Sequence, residues 1–231
     1  MATPPHTLHL DVVSSTQDEA RSRFHGVPVL ITAARQTAGR GRNGAAWETA
    51  DRAVSASLAF RPAWPVASWP IISAVAGLSA LDVLGERARL KWPNDVVIDG
   101  GKVAGILVES DAAVVVVGIG INLWWPAPVA GAGSLHLSDP GSAECTRVAG
   151  EWAIAFLARM DRSPEDWGRR EYEARSATVG AAVTWEPGGS GRAVAIAANG
   201  GLVVETADGT VVLDSGAVRS LRTAGDGSGA G

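Results

Sequence analysis

The spacing of apolar positions changes several times along the chain, and each change marks an element. LHLDVV (8–13) alternates as a half-buried strand does, and SSTQDEARSRF after it reads as a helix in which Thr16 and Glu19 fit a capping box. VPVLITAARQ (27–36) and VSASLAFRP (54–62) are β-rich, whereas TAGRGRNGAAW between them carries no apolar period. WPIISAVAGLSALDVLG (69–85) returns to helical spacing, with Ser68 as its expected N-cap and Gly85 as its stop. Three short β segments follow: RLKWPNDVVID, KVAGILVES and AAVVVVGIGINLW. The turn Asp99-Gly100-Gly101 makes the first two a hairpin, and Ser110-Asp111 closes the second against the third, so all three should be antiparallel neighbours.

From about residue 142 to 175 the pattern is helical again. Beyond 176 the texture changes to AAVTWEP, GRAVAIAANGG, LVVETADG and TVVLDSG, short strands with turn residues at close intervals, which predict a small barrel. A unit of about fifty residues barely stabilises itself, so it should pack on the main domain. The expected organisation is a domain over 1–175, the barrel over 176–223 and a disordered tail over 224–231.

Composition narrows the class. With 24 acidic and 20 basic residues the formal charge is −4, so no net field draws a nucleic-acid backbone. A lone cysteine, Cys145, excludes an internal disulfide framework, and four histidines without ligand spacing make a histidine zinc site improbable. The N-terminus has no signal-peptide pattern and no apolar run is expected to reach the length of a membrane span, which points to a cytoplasmic protein.

The candidate chemistry lies in four places. In Gly39-Arg40-Gly41-Arg42-Asn43-Gly44 alternate glycines let the backbone approach a ligand while two guanidiniums offer planar forks to carboxylate or phosphate oxygens; a solvated basic loop is the plainer alternative. Lys91-Trp92-Pro93-Asn94-Asp95 is a poor continuous strand, which marks either a site or a bulged edge. Lys91 and Lys102 are the chain's two lysines; its other basic residues are arginine. Lys102 follows a double glycine and opens an apolar strand. An ammonium there suits anions that move during a reaction better than a wide, fixed guanidinium does. Gly118-Ile119-Gly120-Ile121-Asn122 leaves one strand face bare for a flat ligand or for a neighbouring helix, with Asn122 as donor and acceptor.

In this order the pieces resemble the biotin protein ligases. Ser15-Thr16-Gln17 is similar to the family's Ser-Thr-Asn/Gln element, and Gln36 to Trp47 to its biotinyl-adenylate loop. Lys91 to Asp95 is similar to Lys-Trp-Pro-Asn-Asp, Lys102 to Glu109 to Lys-x-x-Gly-Ile-Leu-x-Glu, and Gly118 to Asn122 to Gly-x-Gly-Ile-Asn. The likeness covers roughly residues 8–223, and five ordered motifs are far more specific than one. It departs at Ala45, where the family's loop carries another arginine.

The resemblance implies an α+β fold: a mixed sheet with helices, similar to class II aminoacyl-tRNA synthetase cores, plus an SH3-like barrel. It implies a ligase that turns biotin and MgATP into biotinyl-5′-AMP and passes biotin to a lysine of the biotin carboxyl carrier protein domain of an acyl-CoA carboxylase. Catalytic roles fall to Lys102, Arg42 and Asp95, with Asp95 the candidate for orienting a metal ion (Mg2+) or the acceptor amine. Biotin contacts fall to Ser15, Thr16, Gln36, Gly39, Arg40, Lys102 and Gly105, and ATP or adenylate contacts to Arg40, Arg42, Trp47, Asn94, Lys102 and Asn122. Trp47 would act as a lid, Asn122 would read adenine, and Lys91 would pair across the sheet. No winged helix precedes the first strand, which resembles the short class without DNA binding; the expected partners exclude DNA and membrane, and the expected state is a monomer or weak homodimer. Lipoate ligases, similar in fold, and a non-catalytic biotin sensor are the alternatives.

Overall fold

The computed structural model describes residues 4–44, 48–111, 113–214 and 221–223. Seven strands form a mixed sheet: β1 (His6–Val13), β2 (Val29–Gln36), β3 (Arg52–Phe60), β4 (Arg89–Lys91), β5 (Asp95–Ile98), β6 (Gly101–Ser110) and β7 (Val115–Trp124). Their order is β1-β2-β3-β7-β6-β5-β4; β1 and β2 run parallel, and every other neighbour pair is antiparallel. Asp99 (φ 50°) and Gly100 (φ 83°) make the expected β5–β6 hairpin turn, and the Asp111 carboxylate caps the β6–β7 turn through the Ala113 and Val114 N–H groups.

Period-two alternation gives the sheet two different faces. Val54, Ala56, Leu58 and Phe60 of β3 and Val115, Val117, Ile119, Ile121 and Leu123 of β7 enter the main core, which α2 (Ile72–Leu84) and α3 (Ser142–Met160) cover. The opposite face carries Ser55, Ser57, Gly118 and Gly120, and α1 (Thr16–Ser22) covers only part of it, over a smaller cluster of Ala20, Val29, Ile31, Ala59 and Val116.

Several helix-end expectations change. Thr16 begins α1 rather than capping it: Ser15 sits at the N-cap without a side-chain capping bond, and the Thr16 hydroxyl bonds to distant Gln36 and Ser57 instead. Glu19 pairs with Arg23. Ser68 lies inside a 3-10 turn (Val66–Ile71), and α2 starts only at Ile72, while Gly85 ends it as expected with φ 86°. The stretch Val66–Leu84, 19 residues at mean hydropathy 1.5, is long and apolar enough to cross a membrane, contrary to the sequence expectation. In the fold most of α2 is buried, packed on the sheet and against α3, which also lies on the sheet, and this explains the composition.

The C-terminal strands β8 (Ala182–Trp185), β9 (Gly189–Ile196), β10 (Leu202–Thr206), β11 (Gly209–Leu213) and β12 (Leu221–Thr223) form an antiparallel sheet ordered β11-β10-β9-β8-β12. Among the described residues no ladder joins its edges β11 and β12, so a closed barrel is not seen. Val183, Ala193, Ile196, Leu202 and Val204 extend the main core, so this sheet packs on the larger one as its size requires. The tail over 224–231 lies outside the described residues.

Candidate active site

One extra residue decides where Lys102 points. Val96 pairs with Ala104 but Val97 pairs with Lys102, so Val103 is a bulge in β6. Without it Lys102 would share the core face of Ala104 and Ile106; with it Lys102 joins Asp95 on the open face. Its ammonium lies 2.7 Å from the Asp95 carboxylate. Lys91 stands opposite Asp95 in the β4–β5 ladder, the cross-sheet position expected of it.

Asp95, Gly105, Gly120 and Ser55 form one row across β5, β6, β7 and β3. Two adjacent glycines therefore leave a strip of sheet without side chains beside Lys102, a floor for a flat or extended ligand. Gly118 serves differently: a Cβ there would meet the Gln17 amide oxygen at 3.0 Å and the Ser57 hydroxyl at 3.3 Å, so it makes room for α1 rather than for a ligand.

At the α1 end of this strip polar groups are buried together. The Gln36 amide oxygen accepts from the Thr16 N–H (2.8 Å) and hydroxyl (3.0 Å), and the Thr16 and Ser57 hydroxyls lie 2.8 Å apart. Gln17 donates its amide to the Leu107 carbonyl at 3.3 Å, while its own amide oxygen is buried with no partner. Ser15 is 1% exposed at the helix cap. A buried acceptor left unpaired beside satisfied hydroxyls suits a ligand that brings N–H donors.

The glycine-arginine loop leaves β2 pinned by Thr37 and Ala38 N–H bonds to the Val13 and Ser14 carbonyls. Arg40 grips Asp18 with both terminal nitrogens (2.8 and 3.0 Å) and approaches Glu109 at 3.8 Å, so it ties the loop to α1 and β6. That hydrogen-bonded pairing raises the Arg40 guanidinium and holds the Asp18 carboxyl below its usual range. Arg42 turns inward to the Asn94 amide oxygen at 3.4 Å, and its burial lowers the guanidinium below its ordinary value, partly offset by Asp95. Asn94 is fixed by Ile106 in both directions, donating its amide at 2.7 Å and accepting the Ile106 N–H at 2.9 Å on its main-chain oxygen. Gly39 lies half-buried at the loop's entrance, and Trp47 and Ala45 lie outside the described residues.

Asn122 is 3% exposed, and its amide nitrogen points at two carbonyls, Gly133 (3.1 Å) and Lys102 (3.4 Å). Only its oxygen is left over, buried without a partner. A groove of about 430 Å³ opens beside Arg42 and Asn94, walled by Trp69, Pro70, Pro93 and Val108. For a metal ion the chain supplies little: among the described residues no three His, Cys, Asp or Glu side chains converge, and Asp95 is engaged by Lys102. At most one protein carboxylate, that of Asp95, stands where a metal ion at this site would meet it.

Of the residues expected from sequence, Lys102, Asp95 and Gly105 meet on the open face, Arg42 and Asn94 pair at the groove beside them, and Ser15, Thr16 and Gln36 line the buried polar end of that face. Sequence reading named Gln17 in its motif without a role and missed Ser57 and Asp18; the roles of all three depend on partners 22 to 90 residues away. It also missed the bulge at Val103, which has no local signal.

Residues 10–123 match the Biotin/lipoate A/B protein ligase family. The biotin-[acetyl-CoA-carboxylase] ligase of Mycobacterium tuberculosis is 36% identical over 211 residues, covering 84% of this chain and 79% of its own. That of Paracoccus denitrificans is 37% identical over 150 residues, 59% of this chain and 60% of its own. Among solved structures, biotin protein ligase from Aquifex aeolicus in complex with biotin and ATP superposes with a TM-score of 0.78 at 24% identity, over 95% of this chain and 99% of its own, a likeness of fold. Motifs, fold and relatives agree, and the chain belongs to the biotin/lipoate ligase family as one of its biotin-[acetyl-CoA-carboxylase] ligases.

Proposed function

We propose that this ligase works in two steps through biotinyl-5′-AMP. The observation that carries the reading is the Lys102–Asp95 pair beside a side-chain-free glycine strip whose far end is a buried amide and hydroxyl pocket. Biotin lies along the strip. One of its ureido N–H groups donates to the orphan oxygen of Gln17, and its ureido carbonyl accepts from the Ser15 hydroxyl and the amide nitrogen of Gln36.

The biotin carboxylate then lies near Lys102. A carboxylate oxygen bonds to the α-phosphorus of ATP while the bond from that phosphorus to the bridging oxygen breaks, and pyrophosphate leaves. The two anions repel, and the Lys102 ammonium with the Arg42 guanidinium offsets that repulsion and the charge that builds in the transition state. A magnesium ion on the phosphates, with Asp95 as the one protein carboxylate that could reach it, would add further charge neutralisation. The remaining Asn122 oxygen accepts from an exocyclic amine, which favours adenine over guanine, whose corresponding edge presents an acceptor. In the second step an acceptor lysine of a biotin carboxyl carrier domain enters by the groove beside Arg42 and Asn94; its amine bonds to the acyl carbon, AMP leaves, and the amine gives up a proton. The C-terminal sheet is the SH3-like domain of the family.

The test is incorporation of biotin into a biotin carboxyl carrier domain with MgATP, with GTP and lipoate as controls. Transfer with biotin and ATP alone supports the reading. Equal transfer of lipoate, or biotin binding without transfer, contradicts it.

A further inference from the structure

Past the Ala104–Ile121 pair, β6 and β7 have no further ladder pairs, and the segment 131–136 from the loop after β7 fills the gap. On one side the Lys102 N–H donates to the Gly131 carbonyl at 2.8 Å and the Gly133 N–H donates to the Lys102 carbonyl at 2.9 Å, a parallel bridge centred on Ala132. On the other side the Leu135 and His136 N–H groups donate to the Asn122 and Leu123 carbonyls at 3.0 and 2.8 Å. The Asn122 side chain then staples Gly133 and Lys102 together.

We infer that segment 131–136 is a positioning element for Lys102, with Gly101 and Gly131 as its positioning residues; the catalytic consequence rests on the function proposed above. The bulge at Val103 turns the lysine toward Asp95 but interrupts the β6 ladder at that point, so the inserted segment supplies the backbone partners that hold Lys102 in that register. Gly101 permits the approach: a Cβ on it would meet the Ala132 carbonyl oxygen at 3.0 Å and the Gly133 Cα at 3.1 Å, both backbone atoms. Gly131 adopts φ 78°, a left-handed conformation that aims its carbonyl at the Lys102 N–H and that other residues reach only with strain. Because Asn122 is bound to the same segment, the ammonium and the amide facing the nucleotide form one unit.

The two-lysine composition provides a readout that does not depend on activity. Reductive methylation with 13C-formaldehyde keeps the charge and labels Lys91, Lys102 and the chain's α-amine, and Lys91→Arg and Lys102→Ala assign the lysine signals. We would compare wild type, Gly101→Ala, Gly131→Ala and the remote control Gly26→Ala, which is strained in the same way at φ 94° with open space around it. Gly101→Ala and Gly131→Ala should move the Lys102 signal toward that of a solvated lysine and lower kcat for biotin-dependent pyrophosphate release by about tenfold, leaving the biotin KM within about twofold. Gly26→Ala should change neither. In a Lys102→Ala background, Gly101→Ala should cause little further loss.

An unmoved Lys102 signal in both variants overturns the positioning role, as does a Gly101→Ala loss that multiplies undiminished with that of Lys102→Ala. If Gly101→Ala fails to fold, Gly131→Ala, in an exposed loop, decides alone. Absence of biotin-dependent pyrophosphate release from wild type would sink the proposed function instead, and the Lys102 signal would still judge the placement.

Discussion

The Lys102 ammonium meets the Asp95 carboxylate at 2.7 Å because β6 holds one more residue than β5 between two ladder pairs. The pair is held before any substrate anion arrives, so the lysine is presented to the reaction by a partner of opposite charge. Asp95→Asn removes that partner but keeps its shape. We expect pyrophosphate release to fall by about tenfold or more with biotin affinity nearly unchanged, checked by single-turnover kinetics beside calorimetric biotin titration.

Lys102→Arg keeps the charge and loses the compact ammonium. A guanidinium cannot follow a carboxylate and a phosphate as they close, so the variant should lose most adenylation. Wild-type pyrophosphate release from Lys102→Arg would remove Lys102 from the mechanism.

The buried amide and hydroxyl pocket predicts a different signature. Gln36→Leu removes the acceptor for the Thr16 N–H and hydroxyl and a donor for the ureido ring. Leaving such groups unpaired costs about 1–3 kcal/mol, so biotin should bind roughly 10- to 100-fold more weakly while the ATP KM changes little. Calorimetry with biotin, followed by ATP titration at saturating biotin, separates the two.

Arg40 and Asp18 latch the glycine-arginine loop, and the pH sense of the latch follows from the depressed Asp18 carboxyl. A group whose folded pKa is lowered contributes fully above its unfolded value, near 3.9, and loses that contribution as pH falls through the folded one. The loop should therefore stay latched at every pH above about 5. Asp18→Asn should open it at neutral pH. The pair is solvent-exposed and worth at most about 1 kcal/mol, so tryptic cleavage at Arg40 and Arg42 should rise only about two- to fivefold.

Trp92 ties the motif around Asp95 to the C-terminal sheet. Its indole N–H donates to the Gly200 carbonyl and its backbone N–H to the Thr178 hydroxyl, both at 3.0 Å. Trp167 does the same with the Ala198 carbonyl at 3.2 Å. Trp92→Phe leaves the Gly200 carbonyl without its donor at a cost of about 1 kcal/mol, which for a chain of this length lowers Tm by roughly 2–4 °C in calorimetry.

Much of this site was legible in the residues. The order of the five motifs, the Asp99-Gly100 hairpin and the Gly85 helix stop all depend on local chemistry, and each stands where the sequence placed it. What was hidden depends on distant partners. Thr16 and Glu19 fit a capping box locally, but Gln36 and Ser57 offer the Thr16 hydroxyl a buried partner that a solvent-facing cap lacks. Alternation through KVAGILVES places Lys102 on the apolar face; only the register against Val96 and Val97 shows the bulge that turns it over. A helix buried against both the sheet and a neighbouring helix needs no polar stripe, so Val66–Leu84, which contains α2, has the composition of a membrane span.

Biotin-dependent pyrophosphate release from MgATP, measured for wild type and Lys102→Ala with lipoate as the control acid, tests the central claim most directly. Release with biotin, absent with lipoate and lost by a factor of about 100 or more in Lys102→Ala, is the predicted result. Undiminished release from Lys102→Ala, or none from wild type despite tight biotin binding, would contradict the account.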